Sequence, residues 1–92
     1  MIETAYLDEI QQMVVRANPN EETVTLLRNK WPDFHFTYCQ DDDISAASPV
    51  RETEKFNLYL VKSGEGCITF TTSPEHATGL VVAEIENWEE IQ

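Results

Sequence analysis

Four side chains in this sequence have the types that ligate transition metals or work as nucleophile and base: His35, Cys39, Cys67 and His76. Two His with two Cys can hold zinc, and a cysteine beside a histidine can form a covalent intermediate. Their spacing supports neither chemistry. There is no Cys-x-x-Cys pair, and His35 and Cys39 lie four apart on a segment that reads as a strand. A Gly-x-Ser-x-Gly elbow is missing as well. Cys39 and Cys67 would make a redox pair if the sheet brought them together. However, Cys67, just after Gly66, reads more simply as a small residue at a hairpin mouth. Asp41, Asp42 and Asp43 are the densest charge, but consecutive acids do not form an EF-hand loop, which needs alternating ligands, a central Gly and a distant Glu. An exposed turn with Asp43 capping the next segment is the simpler reading. A magnesium or calcium site completed by Glu52 or Glu54 is the alternative.

Bulk composition narrows the function classes further. Seventeen Asp and Glu against six Lys and Arg leave a formal charge of −11 on 92 residues. That charge repels phosphate, so neither nucleic acid nor an anionic membrane is expected as a partner. A protein with a basic surface is favoured instead, and much of the acidity simply confers solubility. The N-terminal stretch has no basic segment followed by an apolar run, so a cytoplasmic location with reduced thiols is expected. A hydrophobic content of 41% in a chain this long predicts a single domain over residues 1–92 with one modest core.

The elements that must position these side chains follow from periodicity. Ile2, Tyr6, Ile10, Met13, Val14 and Ala17 recur at three and four, which predicts an amphipathic helix over residues 2–17, ended by Asn18-Pro19. Asn20 reads as the cap of a second helix carrying Glu21 and Glu22 at its start and Arg28 and Lys30 at its end. Its stripe is Val24, Leu27 and Trp31. So short a connection makes the helices antiparallel.

Residues 34–39 alternate as a first strand, stopped by the three aspartates. The connection that follows contains Pro49, with a helical turn at residues 44–47. The clearest hairpin signal runs over residues 56–72, broken by Gly64-Glu65-Gly66. A three-residue turn is expected there, because pairing Ser63 with Cys67 sets Leu60 opposite Phe70 and gathers the large apolar residues on one face, with Gly66 at positive φ. Residues 73–76 read as a turn and residues 79–86 as a last strand. Trp88 and Ile91 would cover an edge of the core, ahead of a solvated tail.

The expected architecture is α+β: an N-terminal helical hairpin on one face of a four-stranded, mostly antiparallel sheet. Phe34, Phe36, Leu58, Leu60, Ile68, Phe70, Val81, Ala83 and Ile85 would meet the helices. The opposite face, carrying His35, Cys39, Asn57, Tyr59 and Thr69 and extended by Asp41, Asp42 and Asp43, would stay open. It is the expected binding surface, and a homodimer through it is the simplest case.

The segments Phe34 to Asp43, Pro49 to Glu52, Phe56 to Val61 and Ala77 to Glu84 resemble a family of short, acidic bacterial proteins of unknown function, over about residues 5–86. The resemblance implies a bacterial, cytoplasmic protein and transfers no catalytic or binding residue. Gly66, before Cys67, departs from a family pattern that carries His there, which weakens any metal site at that position. The sequence therefore supports a non-enzymatic accessory or protein-interaction module without a cofactor. A small metal- or redox-responsive protein using Cys39 and Cys67 with a nearby His or Asp is the alternative.

Overall fold

The computed structural model describes residues 2–44, 47–64 and 67–85. Helix α1 (Thr4–Ala17) buries Leu7, Ile10 and Val14, the inward side of its apolar stripe. It ends where Asn18 turns to a φ of 72° with a ψ of 150°, an extended arm outside the left-handed helical well, just before Pro19, whose ring disfavours helical geometry at the residue it follows. Helix α2 (Glu21–Lys30) starts as expected, with the Asn20 side chain accepting from the Thr23 N–H at 2.9 Å. Buried Thr23 returns its hydroxyl to the Asn18 carbonyl at 2.6 Å, so the bend between the helices is closed by hydrogen bonds at both ends. An exposed Lys30–Glu9 pair at 3.3 Å joins α1 to α2, an arrangement that contributes little in water. No helix among the described residues is long and apolar enough to cross a membrane.

The sheet has five strands rather than four, and it is mixed. Strand β1 (His35–Gln40) leads through a 3₁₀ turn at Asp41–Asp43 to a short β2 (Arg51–Glu52), then β3 (Phe56–Gly64), β4 (Cys67–Thr71) and β5 (Gly79–Glu84). In space the order is β1-β5-β3-β2, and β4 also pairs with β3. Strand β5 is antiparallel to β3 but parallel to β1, with His35 opposite Gly79 and Cys39 opposite Ala83. On the other side of β3, β2 pairs near its start, at Asn57 and Leu58. Strand β4 pairs along its second half, from Leu60 to Gly64.

Three expectations change. In the hairpin, Gly64 pairs with Cys67 and Leu60 with Thr71, so the connection is two residues long. Ile68 and Phe70 consequently share a face with Val61 and Tyr59, away from the helices, and are 65% and 48% exposed. The helix-side core draws on β1, β3 and β5 and, among the described side chains, takes nothing from β4, so Ile68 and Phe70 were not held under the helices. The phase of β5 is also reversed. Leu80 and Val82 face the helices, whereas Val81 and Ala83 lie on the other side, a choice that an unbroken apolar run leaves undetermined.

The third change is that the second face is not open. Ile44 and Ala47, from the connection after β1, pack with Cys39 onto a small second core of Tyr59, Val61, Val81 and Ala83. Both sides of β5 and of the middle of β3 are thus covered, which is why Leu58 to Val61 and Leu80 to Ala83 are buried without alternation. The helical turn placed at residues 44–47 falls partly outside the described residues. The last strand, expected over residues 79–86, ends at Glu84, with Ile85 described just past it, whereas Gly66, Glu86, Trp88 and Ile91 fall outside the described residues.

Candidate functional site

The second face is built around Asp41. Its Oδ1 accepts from the Tyr59 hydroxyl at 2.8 Å and from Asn57 Nδ2 at 3.0 Å. The geometry follows from alternation: Asn57 and Tyr59 are two apart on β3 and point the same way, and the 3₁₀ turn after β1 delivers the carboxylate above them. Only 5% of Tyr59 is exposed, and burial, reinforced by the bond to Asp41, pushes its phenol above the ordinary tyrosine range. This is a fastening between the connection and the sheet, with a half-buried carboxylate at its rim.

Cys39 lies beside the fastening and is half-buried. Burial, then the charges of Asp43 and Asp41, raises its thiol pKa, which holds sulfur in the protonated form and opposes both nucleophilic attack and metal ligation. His35 is exposed on the same face, but four residues along a strand separate it from Cys39 by about 13 Å. Asp42 and Asp43 are exposed. Thr69 is exposed too and lies on the opposite face, across from Lys62. The structure therefore brings Cys39, Asp41, Asn57 and Tyr59 together, leaves His35 at the far end of β1, and removes Thr69 from the group. Among the described residues, no three His, Cys, Asp or Glu side chains are placed to share a metal ion.

A second polar cluster sits at the end of the β1–β5 pair, on the helix side. The Tyr38 hydroxyl donates to Glu84 Oε1 and accepts from Gln40 Nε2 at 3.0 Å, while buried Gln40 Oε1 has no protein partner. The hydrogen bond to Glu84, then burial and the Glu84 charge, push the Tyr38 pKa up to about 12. Arg28 reaches over from α2 and places Nε and Nη2 on the Phe36 carbonyl, at 3.3 and 2.9 Å, satisfying part of the free edge of β1. A cleft of about 210 Å³, lined by Val14, Val15, Pro19, Thr53 and Phe56 with Glu54 and Lys55, lies beside the turn before β3. It is smaller than the roughly 300 Å³ at which small-molecule sites begin.

The feature that sequence reasoning missed is the outer edge of the hairpin. Ile68 and Phe70 stand exposed on β4, with Phe70 packing edge-on to Tyr59 at 5.8 Å between ring centroids. The signal was available in the β4 alternation itself, since two large apolar residues separated by Thr69 suit either face. Only the position of the helices decides which.

Comparison with known proteins places this fold in a family without placing an activity on it. No curated protein and no solved structure matches the chain. A family profile does match residues 10–85, from within α1 to just past β5, and so takes in Asp41, Tyr59 and the whole hairpin. With that span covered, the chain belongs to the family of unknown function DUF6129.

Proposed function

We propose that this chain is a small, acidic protein-interaction module of the bacterial cytoplasm that performs no catalysis of its own. The observation that carries the reading is the exposure of Ile68 and Phe70, side by side on an edge strand. Large apolar side chains paired on an unprotected edge are costly to leave in water and invite contact with another chain. Repulsion is low along the hairpin strands, because residues 56–64 and 67–73 contain no Asp or Glu in a chain of net charge −11 and the hairpin's one acid, Glu65, falls in its turn. The raised thiol pKa of Cys39 weighs against the metal- or redox-responsive alternative.

Position-specific photo-crosslinking tests this. A photoreactive residue replacing Phe70 is expected to give a discrete protein adduct in living cells, identified by mass spectrometry. The same residue replacing exposed Arg16 on α1 is expected to give none. Absence of any adduct at position 70 beyond that seen at position 16 would defeat the reading.

A further inference from the structure

We infer that the occupant of the hairpin edge is a second copy of this chain, paired antiparallel through β4 about a two-fold axis at Thr69. The inference rests on the interaction reading and names the partner of that surface.

The backbone directions come first. In an antiparallel ladder each residue turns both its N–H and its C=O to the same side. The Val61 carbonyl accepts from the Thr78 N–H at 2.8 Å, and the Ser63 N–H donates to Thr78 Oγ1 at 3.0 Å, so both residues turn toward the β5 side. Their partners across the hairpin are Phe70 and Ile68. Those two therefore form the non-hydrogen-bonded pairs of the hairpin, and their own N–H and C=O groups project from the free edge of β4.

The pattern is self-complementary. With Thr69 opposite Thr69 of the second copy, Ile68 falls opposite Phe70 of that copy, and Phe70 opposite its Ile68. The outward backbone groups then meet as hydrogen-bonded pairs, giving four bonds with no donor left over, while Thr69 occupies the non-hydrogen-bonded position on the axis. The four large apolar side chains collect on one face, beside Tyr59 of each copy. A register shifted by one residue would turn outward-pointing groups toward inward-pointing ones and separate the apolar side chains.

Charge and size set the strength. No acid lies on β3 or β4, so like charges are kept back from the axis, yet two molecules of charge −11 still repel at long range. Salt within the Debye regime should therefore tighten the association, whereas docking of a basic partner would weaken with salt. A five-residue strand pair with four apolar side chains lies at the low end of specific interfaces, which corresponds to micromolar affinity.

Sedimentation of the full chain between about 1 and 100 μM tests the association. Wild type is expected to shift from monomer to dimer over that range, at lower concentration in about 300 mM than in about 20 mM salt. Ile68→Lys, at a site exposed enough to spare the fold, is expected to weaken the dimer at least tenfold. The axis has its own test in a Cys39→Ser, Cys67→Ser background. Thr69→Cys should form a disulfide-linked dimer with oxidised glutathione, because a non-hydrogen-bonded pair holds its Cα atoms about 4.5 Å apart, within disulfide reach. Thr71→Cys should not, since its copies would lie roughly 13 Å apart along the strand.

A wild type that stays monomeric throughout overturns the inference, and so does a dimer that crosslinks as well at position 71 as at 69. An adduct of position 70 with a different protein, with monomeric sedimentation, would leave the interaction reading standing and remove the self-association.

Discussion

Tyr59 donates its phenolic hydrogen to Asp41 Oδ1 at 2.8 Å, and this one bond ties the segment after β1 to the centre of the sheet. Asn57 donates to the same oxygen. Replacing Asp41 with Ala removes a charged acceptor and leaves the Tyr59 hydroxyl buried without a partner, which is expected to cost about 1.5 to 3 kcal/mol in urea denaturation. Asp42→Ala, one residue along and exposed, should stay within about 0.5 kcal/mol of wild type. Because Asp41 and Tyr59 share one bond, Asp41→Ala and Tyr59→Phe should combine less than additively, by more than about 0.5 kcal/mol. Strict additivity would mean the bond is not formed in solution.

Gly79 is expected to resist substitution for a reason of space. A Cβ built there would fall against the His35 carbonyl oxygen and 2.8 Å from the His35 Cβ, so β1 and β5 would have to separate along the parallel pair that holds β1 in the sheet. Gly79→Ala should therefore cost about 1 to 3 kcal/mol by chemical denaturation, with amide chemical-shift changes concentrated at residues 35–37. A neutral substitution would overturn the close approach of the two strands.

The hairpin register has its own signature in stability. Leu60 is completely buried beneath the helices, and Leu60→Ala should cost about 2 to 5 kcal/mol. Thr69→Ala on exposed β4 should cost less than about 1 kcal/mol when measured at concentrations that keep the chain monomeric. Ile68→Ala should behave like Thr69→Ala, since Ile68 is mostly in water in the isolated chain. An Ile68→Ala loss as large as that of Leu60→Ala would place Ile68 in the core and restore the three-residue turn.

Alkaline titration reads the Tyr38–Glu84 contact. The folded Tyr38 pKa stands at about 12 against a model-peptide value of 10.0, so between these values the unfolded chain gives up a proton that the folded chain retains. The stability contributed by this group is fully present below pH 10 and is lost as pH rises through about 12. Ultraviolet titration of tyrosinate should show a step near pH 12 that disappears in Tyr38→Phe, and the decline in stability from pH 10 to 12 should be shallower in that variant. A step that survives the substitution would assign it to another tyrosine.

What the sequence determined by itself is the local structure. The 3.6-residue stripe of α1, the Asn20 cap, the acids and bases at the two ends of α2, and the positions of every strand but the two-residue β2 all express interactions between residues a few positions apart. Such interactions are as visible in a string of letters as in a fold. Tertiary structure decided everything that depended on which surface met which. Leu80 to Ala83 is apolar throughout and carries no phase, so its facing waited on where the helices and the β1–β2 connection packed. Ile68 and Phe70 alternate correctly for either face, and the pairing of Val61 with Phe70 set them on the side away from the helices. The parallel pairing of β1 with β5 joins residues more than forty apart, and no local pattern encodes a partner at that distance. Tyr59, expected on an open surface, was buried by a connection whose irregular sequence announced a loop but not the face that the loop would cross.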